Sequence, residues 1–324
     1  ATGDYSTAMG NVTTASGDYS TAMGYSTEAS EFASTAMGYS TEASGDSSTA
    51  MGYSTEASGD SSTAMGYSTE ASGVSSTAMG SETTASGYDS TAMGASTEAS
   101  GDSSTAMGYL TTASGYYSTA MGRSTEASAY YSTAMGRSTE ASGDYSTAMG
   151  RDTEASGDYS TAMGNGTTAS GEVSTAMGQS TEASGTYSTA MGAVTTASDY
   201  GSLVIGRYNS SGSTVTNSAT AFSTANTAFV IGNGADGNNI SDAFSILFDG
   251  TTNIAGSVTA TSFVGDGSQL TGITGSASSL NDLTDVLVDS NSSMFLGTPP
   301  TNSTGIDNTA LGENSLKLNT TGVK

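Results

Sequence analysis

The 324 residues carry 31 acidic and only six basic side chains, for a formal net charge of −25, and contain no Cys, His or Trp. That balance excludes nucleic-acid binding, which needs a basic face to displace counterions, and an anionic membrane surface would repel it. The lack of Cys excludes disulfide stapling and thiolate chemistry, and no hydrophobic run approaches a membrane span.

Dominance of Ser, Thr, Ala and Gly would by itself read as low complexity, but the order of the residues overrules it. From the N-terminus, Met-Gly recurs with a constant 14-residue period from Met9 to Met191, through Met51, Met65, Met79, Met93 and Met107, with no insertion or deletion. The next unit keeps the phase as Ser202-Leu-Val-Ile-Gly206, with Ile205 in the methionine slot. Solenoids hold such a register because each coil must stack on the last.

One unit runs Ser62-Thr-Ala-Met-Gly66, then Tyr67-Ser-Thr-Glu-Ala-Ser-Gly73. Each half suits a short strand and is too short for a helix, and glycine at the corners supplies positive φ. The spacing predicts an all-β fold, a parallel β-roll (β-solenoid) of 14-residue coils. Fifteen coils stacked at about 4.8 Å give a rod of roughly 70 Å.

Alternation predicts the faces. Glu70 belongs to solvent, so Thr69 and Ala71 point inward, opposite Thr63 and Met65. The expected core ladder is therefore Met51, Met65, Met79, Met93, Met107 and Ile205. Ser62 and Ala64 would form a flat, small-residue face against another chain. About 1.5–3 kcal/mol per buried large side chain cannot offset about 1–2 kcal/mol of backbone entropy per residue. A lone roll is thus marginal, and closure as a homotrimer is the expected remedy.

The unit Ser-Thr-Ala-Met-Gly-x-Ser-Thr-Glu-Ala-Ser-Gly resembles the head repeat of YadA-like trimeric autotransporter adhesins over residues 1–206. The resemblance implies a left-handed roll, an intertwined or side-by-side homotrimer, and a role in adhesion or extension. Thr-Ala-Met departs from the family's Val-Ala-Ile. Farther on, Phe229–Gly250 is similar to the β region that follows such rolls. Ser262–Ile273 is similar to a motif of phage tail fibres and of surface proteins with a C-terminal self-cleaving chaperone. Asn308–Gly322 resembles the opening of a second roll. The expected divisions are a roll at 1–206, a neck or connector at 207–275, a linker at 276–304 with Pro299-Pro300, and a second roll from 305. The chain begins and ends inside repeated motifs, so it is expected to be an excerpt without a visible secretion signal.

Candidate sites are ladders rather than clusters. Glu28, Glu42, Glu56, Glu70, Glu98, Glu126, Glu140, Glu154 and Glu182 recur at one slot, which Thr takes in the other coils; a solvated face that blocks aggregation explains them better than cation binding. Arg123, Arg137 and Arg151 each precede a Glu by three residues, a charge-compensated patch. Two aromatic ladders, Tyr25, Tyr39, Tyr53, Tyr67 and Tyr117, Tyr131, Tyr145, Tyr159, are expected to stack along the axis, a reading preferred to, and compatible with, a surface-contact stripe for glycans, proteins or mineral. Asp46, Asp60, Asp102, Asp144, Asp158, Asp236, Asn238 and Asp242 invite a calcium reading, but their spacing fits neither an EF-hand nor a calcium-binding roll repeat. No metal site and no cofactor is therefore expected.

The absence of His, Cys and a phosphate-cradling motif argues against an enzyme. The sequence fits an extracellular, non-enzymatic fibre on a cell surface or virion, partnered by copies of itself and by a host receptor, glycan or matrix. Alternatives are a phage tail fibre and a flat-faced solenoid binding ice or polysaccharide.

Overall fold

The computed structural model describes residues 1–262 and, beyond them, three short strands. The first compact unit is Ala1–Val258. Each coil contributes one five-residue and one two-residue strand. The former run from β1 (Thr7–Asn11) to β29 (Leu203–Arg207), and the latter from β2 (Thr14–Ala15) to β28 (Thr196–Ala197). All of them pair in parallel, each residue with its equivalent in the next coil, as in Thr63↔Thr77 and Met65↔Met79 on one sheet and Glu70↔Thr84 on the other. No helix occurs among the described residues. The expected parallel β-solenoid of 14-residue coils is thus the fold.

The main-chain ladder continues around the corners. Ser68 N–H donates to the Tyr53 carbonyl at 2.8 Å, and Ser75 N–H to the Asp60 carbonyl at 2.8 Å. Two corner residues per coil are left-handed yet not glycine, as at Ser68 (φ 51°) and Ser75 (φ 59°). This corrects the expectation that glycine supplies the positive φ at the corners. Gly66, with φ 130°, lies instead at the end of its strand, where an added Cβ would sit 1.9 Å from the Gly80 carbonyl oxygen. The left-handed Ser68 shortens the second strand to Glu70–Ala71.

The inward faces differ from the expectation in one half of the coil. Thr69 and Ala71 point inward, as alternation predicts, with Glu70 exposed. In the longer strand the assignment is reversed: Ser62 and Ala64 are buried, whereas Thr63 and Met65 are half-buried on the outer face. Met51, Met65, Met79, Met93, Met107 and Ile205 are therefore a surface ladder, not the core of the coil. The physical reason is width. Facing strands only two and five residues long, closed by tight corners, leave between them space for Ala, Ser and Thr. Ordinary stacked sheets stand about 10 Å apart on larger side chains. The interior is a double file of alanines, widened to Val204 and Val230 only at the end of the roll. The inward Thr hydroxyls, such as those of Thr55, Thr69 and Thr83, are buried without a protein partner. Each costs about 1–3 kcal/mol relative to a satisfied group.

The roll ends through three side chains. Asn209 Oδ1 accepts from Thr196 N–H and its Nδ2 donates to the Thr196 carbonyl, both at 2.9 Å, so one amide replaces the main chain of a further coil. Asp199, fully buried at a corner slot usually held by glycine, accepts from Thr216 N–H at 2.6 Å and Thr227 N–H at 2.8 Å. Asn226, also buried, accepts from Ser218 N–H and donates to the Ser218 carbonyl. They anchor a loop that returns the chain to β30 (Thr227–Asn233), which stacks in parallel on β29 with Leu203 opposite Phe229. Two antiparallel strands, β31 (Asp242–Leu247) and β32 (Thr252–Ile254), complete this sheet of 18 strands.

The second unit, Thr259–Lys324, contains β33 (Val286–Val288) antiparallel to β34 (Met294–Leu296), which is parallel to β35 (Thr309–Leu311). The expected linker with Pro299-Pro300 and the motifs at 262–273 and 308–322 otherwise lie outside the described residues.

The reversed faces set an order of tolerance. Ala64→Leu overpacks the file and should cost about 1–3 kcal/mol. Met65→Leu on the outer face should change the stability of the single chain by less than about 0.5 kcal/mol. Thermal melts of the two variants check this, and the opposite ranking would contradict the Ala-filled interior.

Candidate functional site

Stacking in register turns each sequence slot into a straight row, so the candidate sites are rows on three surfaces of the coil. The Glu row occupies the outer face of the two-residue strands. Glu28, Glu42, Glu56 and Glu70 are direct neighbours over four successive coils, and Glu126, Glu140 and Glu154 over three. Thr interrupts the row elsewhere, as where Glu70 pairs with Thr84. The Glu56 carboxyl titrates above its ordinary value of 4.5, first because neighbouring atoms desolvate it and then because Glu42 and Glu70 flank it.

The expected Arg–Glu patch is not formed: Arg123, Arg137 and Arg151 end their strands, and the left-handed corner residues Ser124, Ser138 and Asp152 separate them from the Glu row. Among the described residues the one ion pair is Arg151 with Asp152, at 3.3 Å. Arg123 instead lies over the Tyr109 ring, 5.9 Å from its centroid.

Both tyrosine ladders stack along the axis. In the first, Tyr25, Tyr39, Tyr53 and Tyr67 have successive ring centroids 5.0, 4.9 and 5.2 Å apart. In the second, Tyr117, Tyr131, Tyr145 and Tyr159 are 4.8, 5.2 and 4.9 Å apart. Each ring thus covers its neighbour's faces and shows solvent its edge and hydroxyl. Tyr116 and Tyr130, which the sequence reading passed over, add a third row, stacked at 5.5 Å and set edge-on to Tyr117 and Tyr131. Their slot most often holds Asp and also takes Phe, Val, Glu or Thr, with Tyr recurring only at Tyr88 and Tyr200, so the periodic signal there is weak. Desolvation first, then Tyr159, Tyr131 and Asp144, holds the Tyr145 phenol above its ordinary value.

The corner aspartates have a structural task. Asp46, Asp60, Asp102, Asp144 and Asp158 each accept, through Oδ1, the corner amide of the preceding coil at 3.0–3.3 Å. Asp236 closes an Asx turn with Asn238 and Asn239 N–H, which keeps its pKa below the usual carboxylate value. Asp242 accepts from Ser210 and Ser211. These carboxylates are directed at protein donors in separate places, not at a common point.

The remaining surface is the outer face of the five-residue strands, where Thr, Met and the residue after Gly point outward. From β1 to β29 none of these positions holds an acidic residue. Four of the six basic residues do lie there, Arg123, Arg137, Arg151 and Arg207. The expectation that the Thr residues turn toward the core holds for Thr69 and its equivalents, but Thr63 and its equivalents line this outer face.

Fold and surface together define a repeat protein that presents long flat faces. The YadA head domain repeat (2 copies) matches residues 1–27 and then 29–209 in overlapping windows, each advanced by one coil from the last. The chain belongs to the YadA head repeat family, a family of surface-exposed adhesins and not of enzymes. No curated protein matches the chain.

The Glu row sets a pH response. A carboxyl whose folded pKa is raised favours its neutral form in the fold, so its ionisation weakens the roll above that pKa and ceases to do so as pH falls below 4.5. Glu56→Gln should therefore raise the melting temperature at neutral pH, and the gain should vanish on acidification. Because desolvation leads, added salt should remove only part of the gain. A gain that persists unchanged at acid pH would contradict this.

Proposed function

We propose that this chain is a segment of a homotrimeric, non-enzymatic surface fibre that projects or attaches, and that its copies meet through the Thr–Met face of the long strands. The observation that carries this reading is the segregation of charge. A chain with 31 acidic residues keeps all of them off one face for fifteen successive strands. Excess negative charge favours solubility and opposes association, so a face spared from it is suited to meet itself. Methionine adds polarizable, adaptable side chains that pack against irregular partners. Its row is half-buried from Met23 to Met191 and continues as Ile205.

On this reading the contact face is opposite in character to the Ser–Ala face expected from sequence, because Ser62 and Ala64 are consumed inside the coil. The Glu rows then face outward and keep neighbouring fibres apart. Residues 207–258 continue the shaft, and the receptor-binding function lies on exposed rows or on other parts of the fibre.

The test is the mass of the particle in solution. The wild-type chain should weigh as three chains. Met65→Glu, Met135→Glu and Met163→Glu combined should drive it to single chains, since burying unpaired charge costs several kcal/mol. Glu126→Gln and Glu140→Gln, on the other sheet, should leave the trimer intact. A wild-type chain folded as a monomer would end this proposal.

A further inference from the structure

We propose that the tyrosine cluster at the coil corners is a site of oxidative cross-linking, in which phenols one coil apart couple as dityrosine and tie each coil to the next. The cluster comprises Tyr116, Tyr117, Tyr130, Tyr131, Tyr145 and Tyr159.

Three observations converge on it. The rings of Tyr117, Tyr131, Tyr145 and Tyr159 are near-parallel, with interplanar angles of 12°, 13° and 1°, and about one strand spacing apart. Like carbons of neighbouring rings are therefore held close together, and the main-chain ladder prevents them from separating. The rings stand at a corner, between 39% and 57% exposed, so small oxidants reach them, and their packed neighbours there are other phenols of the same cluster. The chain has no Cys, Trp or His. Its phenols are thus the side chains from which a one-electron oxidant takes an electron most readily, whereas methionine reacts by two-electron oxygen transfer.

The oxidant is hydrogen peroxide acting through a haem peroxidase. Each of two phenols gives up one electron and its hydroxyl proton, and the peroxide takes both electrons and both protons to become two waters. The two phenoxyl radicals join through their ortho carbons, forming one C–C bond. The hydrogen on each of those carbons moves to the phenolic oxygen as the ring regains aromaticity. The product retains both hydroxyls and has lost two hydrogen atoms in total. Adjacent coils, otherwise joined at this corner by main-chain hydrogen bonds and ring stacking, become covalently fixed in register.

The sequence makes the test direct. Arg123, Arg137 and Arg151 fall between successive ladder tyrosines, so trypsin places Tyr131, Tyr145 and Tyr159 on separate peptides. The full chain is treated with peroxidase and hydrogen peroxide, run on a denaturing gel, and its single-chain band is digested. The expected result is dityrosine fluorescence in that band, and peptide 124–137 joined to 138–151 with the loss of two hydrogens. Tyr130→Phe with Tyr131→Phe, which keeps the ring stack but removes the phenols, should abolish this joined pair. Tyr88→Phe, outside the cluster, should not. Dityrosine absent, confined to bands heavier than one chain, or formed equally by the Tyr130/Tyr131 variant would overturn the proposal.

Discussion

Apart from one corner turn, such as Ser62 N–H to the Gly59 carbonyl, a 14-residue coil is too short to pair its main chain with itself, and that constraint governs the rest of the molecule. Nearly every amide must find its carbonyl in the coil before or after it, on both sheets and at both corners. Buried backbone groups left unpaired are costly, so the spacing cannot drift by even one residue without breaking a whole turn of hydrogen bonds. The price is two left-handed residues other than glycine in almost every coil, such as Ser68 and Ser75, each strained by about 1–3 kcal/mol. The strain persists because the ladder on either side over-determines it.

The narrow interior follows from the short coil. Alanine files contribute little hydrophobic free energy per residue, and the inward Thr hydroxyls detract from it. What the interior lacks must come from outside the coil. The outer methionine face has the apolar content the interior does not, and it is the face from which carboxylates are missing. Acidic side chains are placed where they serve other ends: Glu on the opposite sheet, Asp at corners as acceptors for main-chain amides, and Asp199 at the roll's end as the anchor of a returning loop.

The repeat, the position of the longer strand to within one residue (Ser62–Gly66 expected, Thr63–Tyr67 found) and the outward Glu row were legible from periodicity, because a row of identical residues at a fixed spacing leaves few arrangements. The inside of the longer strand was misread. Hydrophobicity ranks Met65 above Ala64, and a rule that sends the larger apolar residue inward fails where the interior is narrower than its side chain. The decisive quantity, the gap between sheets, is a property of the corners and has no residue of its own. Asn209 and Asn226 were hidden for a related reason: a side-chain amide that imitates a strand edge occurs once, outside any repeat. The tyrosine ladders and their stacking along the axis were legible as slots, but the third row at Tyr116 and Tyr130 required the corner geometry.

Each chain advances by one strand spacing per 14-residue coil, and every row, face and corner depends on that step. Mass per unit length of the isolated particle, measured by scanning transmission electron microscopy, tests it without reference to any single contact. The expected value is the mass of one coil per chain for every strand spacing of about 4.8 Å, and three times that figure where copies associate as proposed. A value that is no whole multiple of one coil's mass per strand spacing would contradict it.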